Sequence, residues 1–163
     1  MFICLSGQHE MTVEFGGFRG LLTRSGYPKP IFNAFSLASR LGTTILKYSV
    51  TSPDYLKAIP TKKPDGTHAL LLVYSTDTLD ESLEDATLTI DGMPLGKYRL
   101  SRIDKYTANG YSAYKALCPN GVITPSAQEI IEKSSHLDPK ILGVVDSLTL
   151  SLSANSVVLL EQI

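Results

Sequence analysis

Short segments with strand-like patterns, separated by turn residues, dominate the sequence after residue 42. In ATLTI at 86–90 and SLTLSL at 147–152, apolar residues occupy every second position. This period of two places one face of a strand against a core. Many short strands joined by turns favour an antiparallel β-sandwich. The predicted strands cover 43–50, 55–59, 69–75, 86–90, 97–103, 147–152 and 156–161. The turn signals are Pro64-Asp65-Gly66, Asp91-Gly92, Asn109-Gly110, Asn120-Gly121 and Ala154-Asn155.

The first 42 residues have a different pattern. The apolar segment MFICL at 1–5 predicts a buried strand, and Gly26 and Pro28 mark a turn. Pro30 is suited to the first position of a helix, which we predict over 30–41, with Arg40 in its last turn and Gly42 as its C-cap. The apolar stripe of this amphipathic helix consists of Ile31, Ala34, Phe35, Ala38 and Leu41. The change of period predicts two parts, 1–42 and 43–163.

One further helix is predicted inside the second part, from Pro125 to about residue 135. Pro125 suits the first helical position, and a capping-box pattern from Ser126 to Glu129 could move the start by one turn. The predicted buried face of this helix consists of Ile130, Ile131 and Leu137. The predicted fold class is therefore mainly β, a sandwich with one inserted helix.

Composition excludes several classes of partner. The 163 residues carry 15 lysines and arginines and 16 aspartates and glutamates, which gives a formal net charge of -1. This balance creates no field that would attract nucleic acid or an anionic membrane, and we expect neither as a partner. The N-terminus lacks the basic residues and the length of a signal peptide, so we expect a soluble cytoplasmic protein. Cys4 and Cys118 share no metal-ligand spacing and are expected to be buried thiols, although an oxidising compartment would permit a disulfide between them.

Motifs for chemistry are sparse, and no metal or other cofactor is expected. Neither G-x-S-x-G nor a phosphate-binding glycine loop occurs. His68 and His136 are interpreted as structural. His9, with Glu10 and Glu14 nearby, is a candidate polar wall of a sugar site. On a strand, Glu10 and Glu14 would lie about 13 Å apart, too far for a retaining glycosidase pair. The acidic segment DTLDESLED at 77–85 is interpreted as a solvated connection, with calcium binding as the alternative.

The stretch GGFRGLLTRSGYPKPIFNAFSLASRLG at 16–42 resembles the end of the catalytic barrel in family 39 glycoside hydrolases, the β-xylosidase and α-L-iduronidase group. The matching residues are Gly16, Gly17, Phe18, Gly20, Leu21, Leu22, Gly26, Lys29, Pro30, Ala34, Leu41 and Gly42. A second segment, 98–114, resembles the β-sandwich that follows that barrel. The resemblance implies that the chain begins with a strand and helix like those that end a (β/α)₈ barrel.

The resemblance also limits the expected chemistry. Retaining glycosidases of this family use two glutamates on earlier barrel strands, upstream of anything that aligns here, so no catalytic residue is assigned. The family's loop of the type S-D-x-F-E corresponds to residues 6–10, which suggests substrate contacts for Ser6, His9 and Glu10. Gly7 replaces the acid of that motif and His9 replaces the aromatic residue.

Three hypotheses follow for the function. The first is the C-terminal, non-catalytic part of a family-39-like glycosidase. Its partner would be a barrel domain on an upstream segment or another chain, and Ile31, Phe35, Ala38 and residues 1–5 would then be exposed. The second is a carbohydrate-binding or sensing module, like degenerate glycosidase-like domains fused to transcription regulators. The third is an unrelated jelly-roll or immunoglobulin-like interaction domain. Self-association into a homo-oligomer stays open under all three.

Overall fold

A computed structural model describes residues 14–16, 20–51, 55–75, 84–144 and 146–163. Residues 1–5, predicted as a buried strand, lie outside this part. The helices are α1 (Pro30–Ala38), α2 (Gly110–Leu117) and α3 (Pro125–Ser135). The strands are β1 (Thr44–Ile45), β2 (Leu56–Lys62), β3 (His68–Tyr74), β4 (Ala86–Asp91), β5 (Gly96–Ile103), β6 (Lys140–Val144), β7 (Ser147–Leu152) and β8 (Ser156–Gln162).

The strands form two antiparallel sheets. The larger sheet has the order β1-β2-β3-β8-β5-β6, and the smaller sheet consists of β4 and β7. The mainly β fold with antiparallel sheets that the sequence predicts is confirmed. Strand β6 was not predicted; it pairs with β5 at one end of the large sheet.

Strands β4 and β7 cover one face of the large sheet, which we call the strand face. Alternate residues of β4 and β7 point inward, and Leu88 lies opposite Leu150 in the ladder. Leu150 packs with the buried Leu72, Leu100 and Leu160 of the large sheet. The period of two in the sequence therefore corresponds to the inward-facing positions.

The helix face is the opposite face of the large sheet. Leu37 of α1 is fully buried there and belongs to one cluster with Leu71, Ile103 and Leu159. Helices α2 and α3 pack against each other. A separate cluster joins Ile131 of α3 to Tyr27 in the segment before α1.

Helix α1 begins at Pro30 as predicted but ends at Ala38, three residues early. Its buried residues are Asn33 and Leu37, whereas Ile31 and Phe35 of the predicted apolar stripe are 48% and 60% exposed. Gly42 is not the C-cap. Its N–H donates to Thr61 Oγ1 (2.8 Å), and a side chain at Gly42 would overlap the backbone of β2.

Helix α2 was not predicted: the sequence predicts one inserted helix and a turn at Asn109-Gly110, and this prediction of a turn is wrong. Gly110 is buried and is the first residue of α2. A Cβ at Gly110 would overlap Ser135 Oγ and would lie 3.1 Å from the Ile131 carbonyl oxygen. Glycine therefore serves close packing of two helices here, a role that a turn dipeptide does not reveal.

Helix α3 begins at Pro125 as predicted. Its N-cap is Thr124, whose hydroxyl accepts from Ala127 N (3.3 Å), so the alternative start at Ser126 is not used. Ile131 is buried, but Ile130 is 48% exposed and does not belong to the buried face.

The predicted strand at 43–50 is regular only at Thr44 and Ile45. Leu46 N still donates to Pro60 O (2.9 Å), but proline has no N–H to return that bond. The ladder between β1 and β2 therefore stops at Pro60, and residues 46–51 leave it as an irregular segment.

Candidate functional site

The three residues predicted to contact substrate, Ser6, His9 and Glu10, lie outside the described residues. Glu14, the other carboxylate of that segment, is described. Its Oε1 accepts from Ser25 N (2.6 Å), whereas its Oε2 is buried without a hydrogen-bond partner among the described residues.

The surroundings of Glu14 form a small cavity of about 120 Å³. Tyr27, Ile131 and Gln128 line it, and Gln128 Nε2 donates to the Tyr27 hydroxyl (2.9 Å). Ligand pockets usually measure about 300–1,000 Å³. This cavity is too small to enclose a sugar by itself.

The other side chains considered for chemistry have structural surroundings. His68 Nδ1 lies 2.9 Å from Gln162 Oε1, and His136 caps the end of α3. Cys118 is a buried free thiol. Of the acidic segment 77–85, only Glu84 and Asp85 lie in the described ranges. In those ranges, no three His, Cys, Asp or Glu side chains form a group that could hold a metal ion.

The open face of α1, which consists of Ile31, Phe32, Phe35 and Ala38, is the clearest candidate interaction surface. Its three large side chains are between 39% and 60% exposed. Leu37 on the other side of the helix packs on the large sheet. Contiguous exposed apolar side chains on one helix mark an interaction surface more often than single ones do.

Buried polar contacts hold α1 in place. Asn33 Nδ2 donates to the carbonyl oxygens of Ala108 (3.1 Å) and Ser135 (2.8 Å), which ties α1 to the ends of two other segments. Near the other end of α1, the Glu161 carboxylate lies 3.4 Å from Arg40 and 3.2 Å from Lys63. The open face therefore lies on a helix that Asn33 ties to the helical layer and that Arg40, just past its last residue, ties to β8.

The strand-face cleft is a second candidate. This open cavity of about 610 Å³ lies over β2 and β3, between β4 on one side and residues 46–51 on the other. Its floor is apolar, and Asp91 is the one carboxylate among its lining residues. Among the described residues, the cleft therefore lacks the second carboxylate that a retaining glycosidase site needs.

Solved structures with the same fold are glycosidases. A monomeric β-xylosidase from Caulobacter crescentus CB15 matches 93% of this chain over 34% of its own, with 22% identity and a TM-score of 0.72. The chain has the fold of part of a family 39 glycosidase. The GH39 enzyme from Xanthomonas axonopodis pv. citri matches 90% of this chain over 32% of its own, with 16% identity and a TM-score of 0.64.

A bacterial orthologue of human α-L-iduronidase also matches, over 84% of this chain and 27% of its own, with 18% identity and a TM-score of 0.64. The chain thus spans about a third of the length of the glycosidases that it resembles. No protein-family model matches the sequence, and no curated protein matches it. The similarity to family 39 predicted from residues 16–42 and 98–114 is confirmed at the level of the fold.

Sequence reasoning missed two features of these surfaces. Asn33 carries no motif, and only its place beside Leu37 on the buried side of α1 hints at its role. The cleft depends on the early end of the β1–β2 ladder, for which Pro60 is the available signal.

Among the described helices, the longest has 11 residues, too few to cross a membrane.

Proposed function

We propose that this chain is the C-terminal, non-catalytic part of a family-39-like glycosidase of the β-xylosidase type. Its role is to pack against a carbohydrate-cleaving barrel and shape the rim of that barrel's site. The barrel lies on an upstream segment of a longer protein or on another chain. The observation that carries this proposal is the open face of α1.

The distribution of apolar residues around α1 supports packing on two sides. Leu37 contacts the large sheet, while Ile31 and Phe35 point away from it. A helix that is apolar on both sides is typical of a helix between two layers of protein. The described residues supply one of those layers, and a barrel would supply the other.

The buried carboxylates support a non-catalytic role. Asp104 Oδ1 accepts from the backbone of Tyr106 and Thr107, both at 2.8 Å. Glu161 is paired with Arg40 and Lys63. Both carboxylates therefore make contacts that hold the fold together: Asp104 fixes the turn after β5, and Glu161 joins β8 to Arg40 and Lys63.

An activity assay tests the absence of catalysis. The purified chain is incubated with p-nitrophenyl β-xyloside, and we expect no release of nitrophenol above the buffer rate. The proposal would be contradicted if the chain turned over this substrate and Glu10→Gln or Glu14→Gln abolished the turnover. The chain would then contain a catalytic carboxylate.

A surface assay tests the packing role. The double variant Ile31→Ser/Phe35→Ser should bind less of an apolar-surface dye and self-associate less in sedimentation, because it removes most of the open face. Ile130→Ser, which changes a similarly exposed residue on α3, is the matched control and should change neither readout. Equal behaviour of the two variants would count against α1 as a docking face.

A carbohydrate-binding or sensing module is the second candidate, favoured by the volume of the strand-face cleft, which falls in the range of ligand pockets. Calorimetric titration with xylo-oligosaccharides separates the two functions. A chain that only packs against a barrel should show no saturable binding. Saturable binding would favour the sensing module if the variant Ala58→Phe, in the cleft, removes it.

A further inference from the structure

The two sheets differ greatly in size. Six strands form one sheet, and β4 and β7 alone form the other. Within the described residues, β4 pairs with β7 and with no other strand. One edge of β4 therefore presents backbone N–H and C=O groups that no described strand satisfies.

The free edge of β4 borders the strand-face cleft. Four successive residues of β4, 88–91, line the cleft, although alternate residues of a strand point to opposite faces. Because residues that point to both faces of β4 line the cavity, the edge of the strand must face it. The burial agrees: Leu150 and Leu152 of β7 are buried, whereas Leu88 and Ile90 of β4 are only half-buried.

The opposite wall of the cleft is also backbone. Residues 46–51 are six successive lining residues, and none of the described backbone hydrogen bonds involves residues 47–51. Between the walls, the floor consists of side chains from one face of β2 and β3, including Leu56, Ala58, Leu70 and Leu72. The cleft thus has an apolar floor between two walls whose backbone groups are unpaired within the part of the chain that the structure describes.

We propose that the strand-face cleft receives an extended polypeptide segment, which pairs with the free edge of β4 as the third strand of the small sheet. Its inward side chains are apolar at alternate positions and cover the floor of β2 and β3. Its outward side chains are polar, like Thr87 and Thr89 of β4, which are exposed. This is strand addition, in which main-chain hydrogen bonds supply affinity and alternate side chains supply specificity.

The segment comes from polypeptide outside these 163 residues. The described residues leave the edge of β4 unpaired, and the chain spans about a third of the length of the β-xylosidase that it resembles. Glu14, the first described residue, lines the same small cavity as Ile131, a residue of the helical layer. The large sheet separates that layer from the cleft. The free edge of β4 and the partial coverage of the β-xylosidase carry this proposal, and neither requires the proposed function.

Peptide binding tests the proposal. The probe is a short synthetic peptide of alternating valine and threonine with a lysine at each end, titrated into the full chain and followed by fluorescence anisotropy and by hydrogen exchange. We expect saturable binding and slower exchange of the amides of residues 86–91. A peptide with the same side chains but N-methylated at every residue should bind at least about tenfold more weakly, because it cannot donate main-chain hydrogen bonds to the edge of β4.

Two variants complete the test. Ala58→Phe places a large side chain on the floor of the cleft and should weaken peptide binding by about tenfold or more. Ile59→Ala, the next residue of β2 on the opposite face, should leave binding unchanged. Thermal unfolding checks that both variants fold.

If a variant does not fold, the measurements on the unchanged chain are sufficient to test the proposal. Absence of binding, or protection located away from residues 86–91, would overturn the proposal. Equal binding of the N-methylated peptide would also overturn it, because the cleft would then bind apolar side chains without pairing a strand.

Discussion

The two faces of the large sheet are covered in different ways. On the helix face, Leu37 is fully buried, and Asn33 and Glu161 add directed polar contacts between α1 and its surroundings. On the strand face, two strands cover six and leave a cleft of about 610 Å³. The helix face is closed within the described residues, whereas the strand face is partly open.

This difference shows where the chain is self-sufficient. A sheet must bury its apolar face against another layer, and the central strands β3 and β8 achieve this on both faces. Toward β2 on the strand face, Ala58 and Leu70 are only half-buried, and beyond α1 on the helix side Ile31 and Phe35 are exposed. We expect further polypeptide to pack on both of these open surfaces.

The largest expected effect concerns the two sides of α1. Leu37→Ala should lower the free energy of unfolding by about 2–5 kcal/mol, because it removes a fully buried side chain from the helix-face core. Phe35→Ala on the same helix should change it by less than about 0.5 kcal/mol. Urea denaturation measures both. Similar losses for the two variants would show that the open face is already buried in solution.

The second prediction compares the paired strands β4 and β7. Leu150→Ala should cost about 2–5 kcal/mol, because Leu150 is buried in the strand-face core. Leu88→Ala, directly across the ladder, should cost about half as much, because Leu88 is half-buried and borders the cleft. The same denaturation experiment applies. A larger cost for Leu88 would mean that the cleft is closed in solution.

The third prediction concerns the polar contacts of α1. Asn33→Ala leaves the carbonyl oxygens of Ala108 and Ser135 without their donor and should cost about 1–3 kcal/mol. Asn120→Ala, in an exposed turn, is the control and should change stability little. In NMR spectra, the Asn33 side-chain amide protons should exchange slowly with solvent. Fast exchange would contradict the two hydrogen bonds.

The smallest effect concerns Tyr98 on the strand face. Burial raises the pKa of Tyr98 above its ordinary value of 10.0. The folded state then keeps the proton that the unfolded state loses, so this contribution to stability is complete below pH 10 and falls as the pH rises through the raised pKa.

Tyr98→Phe should reduce this alkaline loss of stability. At neutral pH it should cost about 0.5–1.5 kcal/mol, because the hydroxyl donates to Pro94 O (2.9 Å). Tyr106→Phe, which changes an exposed tyrosine, is the control. Denaturant midpoints measured from pH 7 to above pH 10 provide the test, and identical alkaline profiles of Tyr98→Phe and the unchanged chain would refute it.

Much of the fold could be predicted because local patterns and tertiary environment agree. The alternation at 86–90 and 147–152 gave the inward residues of β4 and β7, and Pro30 and Pro125 gave the starts of α1 and α3. The errors occur where distant residues decide. Gly110 has the composition of a turn, but the packing of α2 on α3 requires it, and Pro60 ends a ladder with residues distant in sequence.

The candidate site was less accessible from sequence. The motif at 6–10 suggested substrate contacts for Ser6, His9 and Glu10, and this stays a prediction because these residues lie outside the described part. The resemblance did predict the exposure of Ile31, Phe35 and Ala38, which is confirmed. It could do so because the expectation came from the arrangement of a larger fold and not from the periodicity of these residues.

By itself, the sequence determined the antiparallel β class, most of the strands and the glycosidase-like fold, because these depend on local periodicity and short motifs. Only the tertiary structure decided which side of α1 is buried, where Gly110 is needed and where a strand could be added. These features depend on contacts between segments far apart in the chain, such as Asn33 with Ser135, and no local pattern specifies them.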